Sequence, residues 1–159
     1  MNLTPAQKIT LKAHILATAD LLNLLTIGDL SGLVDLLNSL AAPSFIIWRN
    51  AVPQQEIMID NFDWTRVDNL GVGKARIWEW MFEAGQGSIN PSNPGIRAGI
   101  DTVWVGTAAD LAVRAAVYVH CKRPSTRIEK LFSTGTGTDA SPATTLVDGH
   151  IVYNECINL

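Results

Sequence analysis

Apolar residues recur along much of this chain at steps of three and four, the spacing that gathers them on one face of an α-helix. The first such run starts sharply. Thr4 can cap a helix, Pro5 fits its first position, and Gln7 stands three residues after Thr4 as in a capping box. Leu11, Ile15, Leu22 and Leu25, with Thr18 between them, predict one helix running to about Leu25, and Gly28 ends it. Asp29 can start a second helix with Leu30, Leu33, Val34, Leu37 and Leu40 as its stripe, opposite Ser31, Asp35, Asn38 and Ser39. The short connection makes these two helices antiparallel neighbours, and Pro43 closes the second.

Further along the pattern is less even. Phe45, Ile46, Ile47 and Trp48 form a brief apolar run that reads as strand or buried connector. Pro53 suits the first turn of a short helix reaching Asn61, and KARIWEWMFE predicts a helix over residues 74–83, with Gly85 and Gly87 beyond its end. Residues 86–95 are a turn-rich loop. Two further helices are expected over residues 96–105 and 108–120, separated near Gly106 and Thr107. The second is apolar almost all round, the mark of a helix flanked on several sides, with Asp110 and Arg114 four apart as a pair on its polar edge. Pro124 stops it, and Ser125 can cap a short helix toward Phe132.

After Phe132 the character changes. STGTGTDASPATT is small, polar and rich in turn formers, so residues 133–159 are expected as an extended or mobile arm. Within it Leu146 and Val147, then Asp148-Gly149, then Ile151, Val152 and Tyr153 predict two short strands about a two-residue turn. The expected fold is mainly α: a compact helical bundle over residues 1–132, followed by an extended C-terminal arm with a short β-hairpin over residues 133–159.

Composition alters this picture at the surface. The chain of 159 residues is 47% hydrophobic and only 17% charged, enough apolar matter for a core and little charge for a small wet surface, so some apolar surface is expected to face neighbours. A net charge of -3 argues against a general nucleic-acid binder, which needs excess Lys and Arg to displace counterions. Cys121 and Cys156 neither form a disulfide framework nor show paired metal-ligand spacing, which fits a reduced compartment. The opening MNLTPAQKITLK is polar, and no stretch approaches the roughly 20 apolar residues that span a bilayer. Synthesis in the cytosol and no membrane contact are expected.

The search for chemistry returns little. Gly71-Val72-Gly73-Lys74 invites a phosphate reading, but Ala75 stands where a Walker A loop needs Ser or Thr, Asn69 where it needs Gly, and Arg76 where a dinucleotide loop needs a small residue. Asp60, Asp63 and Asp68 lack the ligand rhythm of a calcium loop. His14, His120 and His150 share no ligand spacing, and neither a nucleophile elbow nor a His-Glu-x-x-His helix occurs. No catalytic, cofactor or metal residue is assigned, and a non-enzyme is expected.

Two features remain. Among the tryptophans Trp48, Trp64, Trp78, Trp80 and Trp104, the pair Trp78 and Trp80 stand two apart on a helix and cannot share a face, so one is expected in the core and the other in contact with a partner. Lys122, Arg123, Arg127 and Lys130 form a basic cluster, readable as solvated charge at a helix end or as contact with an acidic partner or DNA backbone. In the arm, Leu146, Ile151 and Tyr153 are further expected partner contacts.

FDWTRVDNLGVGKARIWEWM, together with INPSNPGIRAGIDTVWVGTAADLAVRAAVYVHCKRPSTRIEKLFSTGTGTDASPAT, resembles a family of small proteins found among the virion structural genes of tailed bacteriophages and prophages. The resemblance extends over most of the chain from about Phe45, and LVDGHIVYNECINL is similar to the family's short strand-rich ending. It implies a virion component made in the bacterial host cytoplasm. By analogy of architecture, a small helical bundle with a polar arm suits a head–tail connector of the adaptor kind in the virion neck. Such a protein forms a homo-oligomeric ring, a dodecamer being one candidate order, and joins the portal protein to tail and neck proteins, with non-specific contact to packaged DNA as an additional candidate. A head-closure, tail-terminator or head-decorating protein is the alternative in the same class, and a small helical regulator or DNA-binding protein the alternative outside it.

Overall fold

The computed structural model of the protein describes residues 1–59 and 62–156; the side chain of Trp64 is also outside the description. The expected helix end at Asn61, the Asp60 member of the aspartate group and the last three residues of the expected arm lie outside the described residues. In chain order the elements are α1 (Pro5–Ala17), α2 (Ala19–Thr26), α3 (Leu30–Asn38), β1 (Ile46–Trp48), β2 (Val52–Pro53), α4 (Gln54–Ile59), α5 (Trp64–Asp68), α6 (Val72–Ala84), β3 (Ser88–Ile89), α7 (Pro94–Val103), α8 (Ala108–His120), β4 (Lys122–Pro124), α9 (Arg127–Leu131), β5 (Ser133–Thr134), β6 (Thr144–Thr145) and α10 (Tyr153–Cys156). The fold is mainly α, with strands of only two or three residues. Two units divide the chain: a terminal unit of Met1–Ile47 with Pro124–Leu159, and a central unit of Trp48–Arg123.

The terminal unit begins as its pattern predicts. Thr4 accepts from the Gln7 backbone N–H while the Gln7 side chain accepts from the Thr4 N–H, completing the capping box. The helix then breaks. Thr18 is extended, at φ -116° and ψ 111°, and its hydroxyl donates to the His14 carbonyl at 2.7 Å. A β-branched hydroxyl that satisfies a helical carbonyl itself competes with continuation of the helix. The break rotates the apolar face, so that Leu21 is fully buried and the expected Leu22 is 37% exposed. In α3, capped by Asp29 on the Gly32 N–H, Leu33 and Leu37 are buried as expected. Leu40, past the helix end, is exposed.

The largest correction concerns the C-terminal stretch. Ala143, Val147, Ile151 and Cys156 are buried within the terminal unit, so residues 133–156 are folded into it, and the division expected at 132/133 is not the one that contacts make. No hairpin forms about Asp148-Gly149. The short antiparallel pair lies earlier, β5 against β6 with Ser133 opposite Thr145, and Tyr153–Cys156 is a helical turn.

Polar bonds hold this stretch. The fully buried Glu129 accepts from the backbone N–H groups of Thr126 at 2.9 Å and Gly149 at 3.0 Å, and Asn38 exchanges two 2.9 Å bonds with the backbone of Ile151. Gly137, at φ +67°, lies against the Phe45 ring where any Cβ would collide. The cap of α9 is Thr126, in a capping box with Glu129, and not Ser125, whose N–H donates to the Phe45 carbonyl.

In the central unit β2 pairs antiparallel with β3, Val52 opposite Ile89, and α6 packs on α7. The core is built of large rings. Trp78 meets Trp104 edge-on with centroids 5.3 Å apart, Phe82 at 5.0 Å, and Phe62 stacks on Trp78 at 6.2 Å. Fully burying one such apolar side chain stabilises by about 1.5–3 kcal/mol.

Helix α8 has the expected bounds and a Thr107–Asp110 capping box, but it is not surrounded. Val113 and Val117 face the core while Leu111 and Val119 are 42% and 68% exposed. Asp110 pairs with Arg66, and Arg114 with Asp101, each at 3.6 Å, in place of the expected pair within α8.

Candidate functional site

The two tryptophans of α6 separate as their spacing requires. Trp78 is 2% exposed and belongs to the central core, so it is not a contact residue. Trp80 is 57% exposed, with the Arg76 guanidinium 5.8 Å from its ring centroid. Val72, at the start of the same helix, is exposed too. In the C-terminal stretch Ile151 is buried and bonded to Asn38, which removes it from the expected contacts. Leu146 and Tyr153 are exposed.

The four basic residues divide between the two units. Lys122 and Arg123 lie at the end of the central unit, and Arg127 and Lys130 on α9 of the terminal unit. The Arg127 fork grips Asp20 through bonds of 2.7 and 3.2 Å, and this hydrogen bonding holds the Asp20 carboxyl below the usual aspartate range. The Lys130 ammonium sits 5.4 Å from the Phe45 ring centroid.

Sequence reasoning missed a cleft of about 390 Å³ in the terminal unit, lined by His14, Ala41, Ala42, Arg127, Lys130 and Leu131. Its residues come from three separated segments, and no spacing along the chain announces it. Burial first, and then the charge of Arg127, lower the pKa of His14 below the ordinary histidine value, with Asp20 opposing.

A larger cleft, of about 590 Å³, does hold a sequence motif. Gly71, Val72, Gly73 and Lys74 line it with Arg66, Thr107 and Asp110. Both cations already have protein acceptors: Arg66 bonds the Thr107 hydroxyl at 2.9 Å and pairs with Asp110, and Lys74 bonds the Val105 carbonyl at 3.1 Å.

Elsewhere in the central unit Arg49 grips Glu56 with both oxygens engaged, and His120 Nδ1 stands 3.8 Å from Glu56. Arg49 lowers the Glu56 pKa, while burial pushes the adjoining Cys121 thiol up to about 12, far from the thiolate that nucleophilic chemistry needs. Among the described residues no three His, Cys, Asp or Glu side chains converge as a metal ion would require, and no helix is long and apolar enough to cross a membrane. No protein-family model matches the chain, and neither a curated protein nor a solved structure matches it.

Proposed function

We propose that this protein is a structural component of a tailed-phage virion, a neck adaptor whose subunits form a ring between the portal and the tail. The supporting observation is the surface. Large apolar side chains stand exposed on three helices, among them Ile9 of α1 at 71%, Val72 and Trp80 of α6 at 76% and 57%, and Val119 of α8 at 68%. Scattered exposed apolar residues are ordinary, but an exposed Trp beside an Arg is the composition that interface centres favour. Burial against other polypeptides gives such groups a use, and the virion setting is what the resemblance from about Phe45 onward implies. In the C-terminal stretch Val147, Ile151 and Cys156 are taken up by the core of the terminal unit, which leaves Leu146 and Tyr153 as the residues there that can meet a partner.

Purified virions labelled with an antibody to this chain are expected to show label at the neck by electron microscopy, and the isolated neck complex to show it as a ring. Label on the capsid shell would replace the adaptor by a decorating protein. Virions containing none of the chain would remove the proposal altogether.

A further inference from the structure

The cleft of the terminal unit carries charge that its own residues do not balance. Arg127 is neutralised by Asp20, whereas Lys130, half-buried and three residues on along α9, has no carboxylate partner among the described residues, and its ammonium stands 5.4 Å from the Phe45 ring centroid. The His14 ring also lines the cleft and makes no hydrogen bond among the described residues. With His14 neutral, Arg127, Asp20 and Lys130 sum to one positive charge at a cleft that Ala41, Ala42 and Leu131 also line. One unmatched cation at a cleft with a small apolar lining fits a singly charged carboxylate on a short hydrocarbon stem, and fits a dianionic phosphate poorly.

We infer that this cleft receives a glutamate or aspartate side chain of a partner polypeptide, its carboxylate on Lys130 and its stem against Ala42 and Leu131. The inference rests on the reading of the protein as an assembly component and names the chemistry of one of its contacts. Lys130 supplies the ion pair. His14, at the same wall, reports occupancy, because a carboxylate placed near it favours the imidazolium.

The test uses the full chain and blocked tripeptides, acetyl-Ala-Glu-Ala-amide and its glutamine counterpart, with inorganic phosphate as a third probe. His14 is followed by NMR. The glutamate peptide is expected to shift the His14 ring signals saturably and raise its titration midpoint, while the glutamine peptide leaves both unchanged and phosphate binds more weakly. Lys130→Ala should weaken the glutamate peptide about tenfold or more, the worth of one charge-assisted contact, with Lys130→Gln as a second variant should the first fail to fold. Equal responses to the two peptides, tighter binding of phosphate, or unchanged affinity in a folded Lys130 variant would overturn the inference. Peptide binding by a chain absent from virions would sink the adaptor reading and leave the cleft standing, and the reverse result would do the opposite.

Discussion

The two units of this protein are held together by different means. The central unit encloses a cluster of rings, Trp78, Trp104, Phe62 and Phe82, in which area and shape supply the stability. The terminal unit has an aliphatic core of Leu11, Leu21, Leu33, Leu37 and Ile128, and the strand-and-turn stretch that closes it is tied by the buried Glu129 and by Asn38. Hydrophobic burial is non-directional and tolerates adjustment, whereas a buried carboxylate must keep all its donors or leave them stranded. The terminal unit should therefore fail through loss of partners, and the central unit through loss of volume.

Truncation after Phe132 tests this contrast most severely. It removes Val147, Ile151 and Cys156 from the core and the groups that Glu129 and Asn38 hold. At about 1.5–3 kcal/mol for each large side chain, plus the stranded polar groups, the loss is comparable with the roughly 5–15 kcal/mol by which a domain is stable. Amide exchange of the shortened chain should show residues 5–38 unprotected and the central unit intact; retained protection there would mean that the stretch is dispensable after all.

For the central unit the matching test is Trp104→Ala. Trp104 is fully buried and touches Trp78 and Phe62 edge-on, so truncation should cost about 3–5 kcal/mol in urea unfolding. A cost under about 1 kcal/mol would show that the ring cluster collapses to fill the space.

The same contrast explains what the sequence discloses. The capping box at Thr4, the Asp29 start of α3 and the bounds of α8 are local, set by residues within one turn of each other, and they read directly. The break at Thr18 is also local, but it turns on a hydroxyl choosing a backbone carbonyl, which an apolar count does not see. The Asn38–Ile151 bonds join residues 113 apart, and a polar stretch fixed by such bonds looks like a mobile arm when only its hydrophobicity is read. The cleft was hidden for that reason too: Arg127 and Lys130 stood out as basic residues, but nothing placed His14 or Asp20 beside them.

A smaller perturbation isolates the polar clasp from the burial around it. Glu129→Ala strands the buried N–H of Thr126 and the part-buried N–H of Gly149, and at about 1–3 kcal/mol for a fully buried donor and less for a partly exposed one the loss is roughly 2–4 kcal/mol. Glu129→Gln keeps an acceptor for one of them and should lose less. If both variants melt with the parent in urea, the clasp is a consequence of packing and the contrast between the units dissolves.

The smallest expected change in stability is also the one that bears on function. Residues two apart on a helix point about 200° apart, so Trp78 and Trp80 share a backbone and a chemistry yet meet opposite surroundings. Trp78→Ala should destabilise the central unit as Trp104→Ala does. Trp80→Ala removes a ring that is already 57% in solvent, with the Arg76 guanidinium 5.8 Å from its centroid, so its effect on urea unfolding should stay within about 0.5 kcal/mol. If Trp80 is an assembly contact, the same variant should enter virions poorly while remaining folded, since a central interface tryptophan is worth about 2 kcal/mol or more on truncation. Normal incorporation of a folded Trp80→Ala chain would show that this ring is a bystander, and would move the search for the contact to the exposed apolar residues of α8.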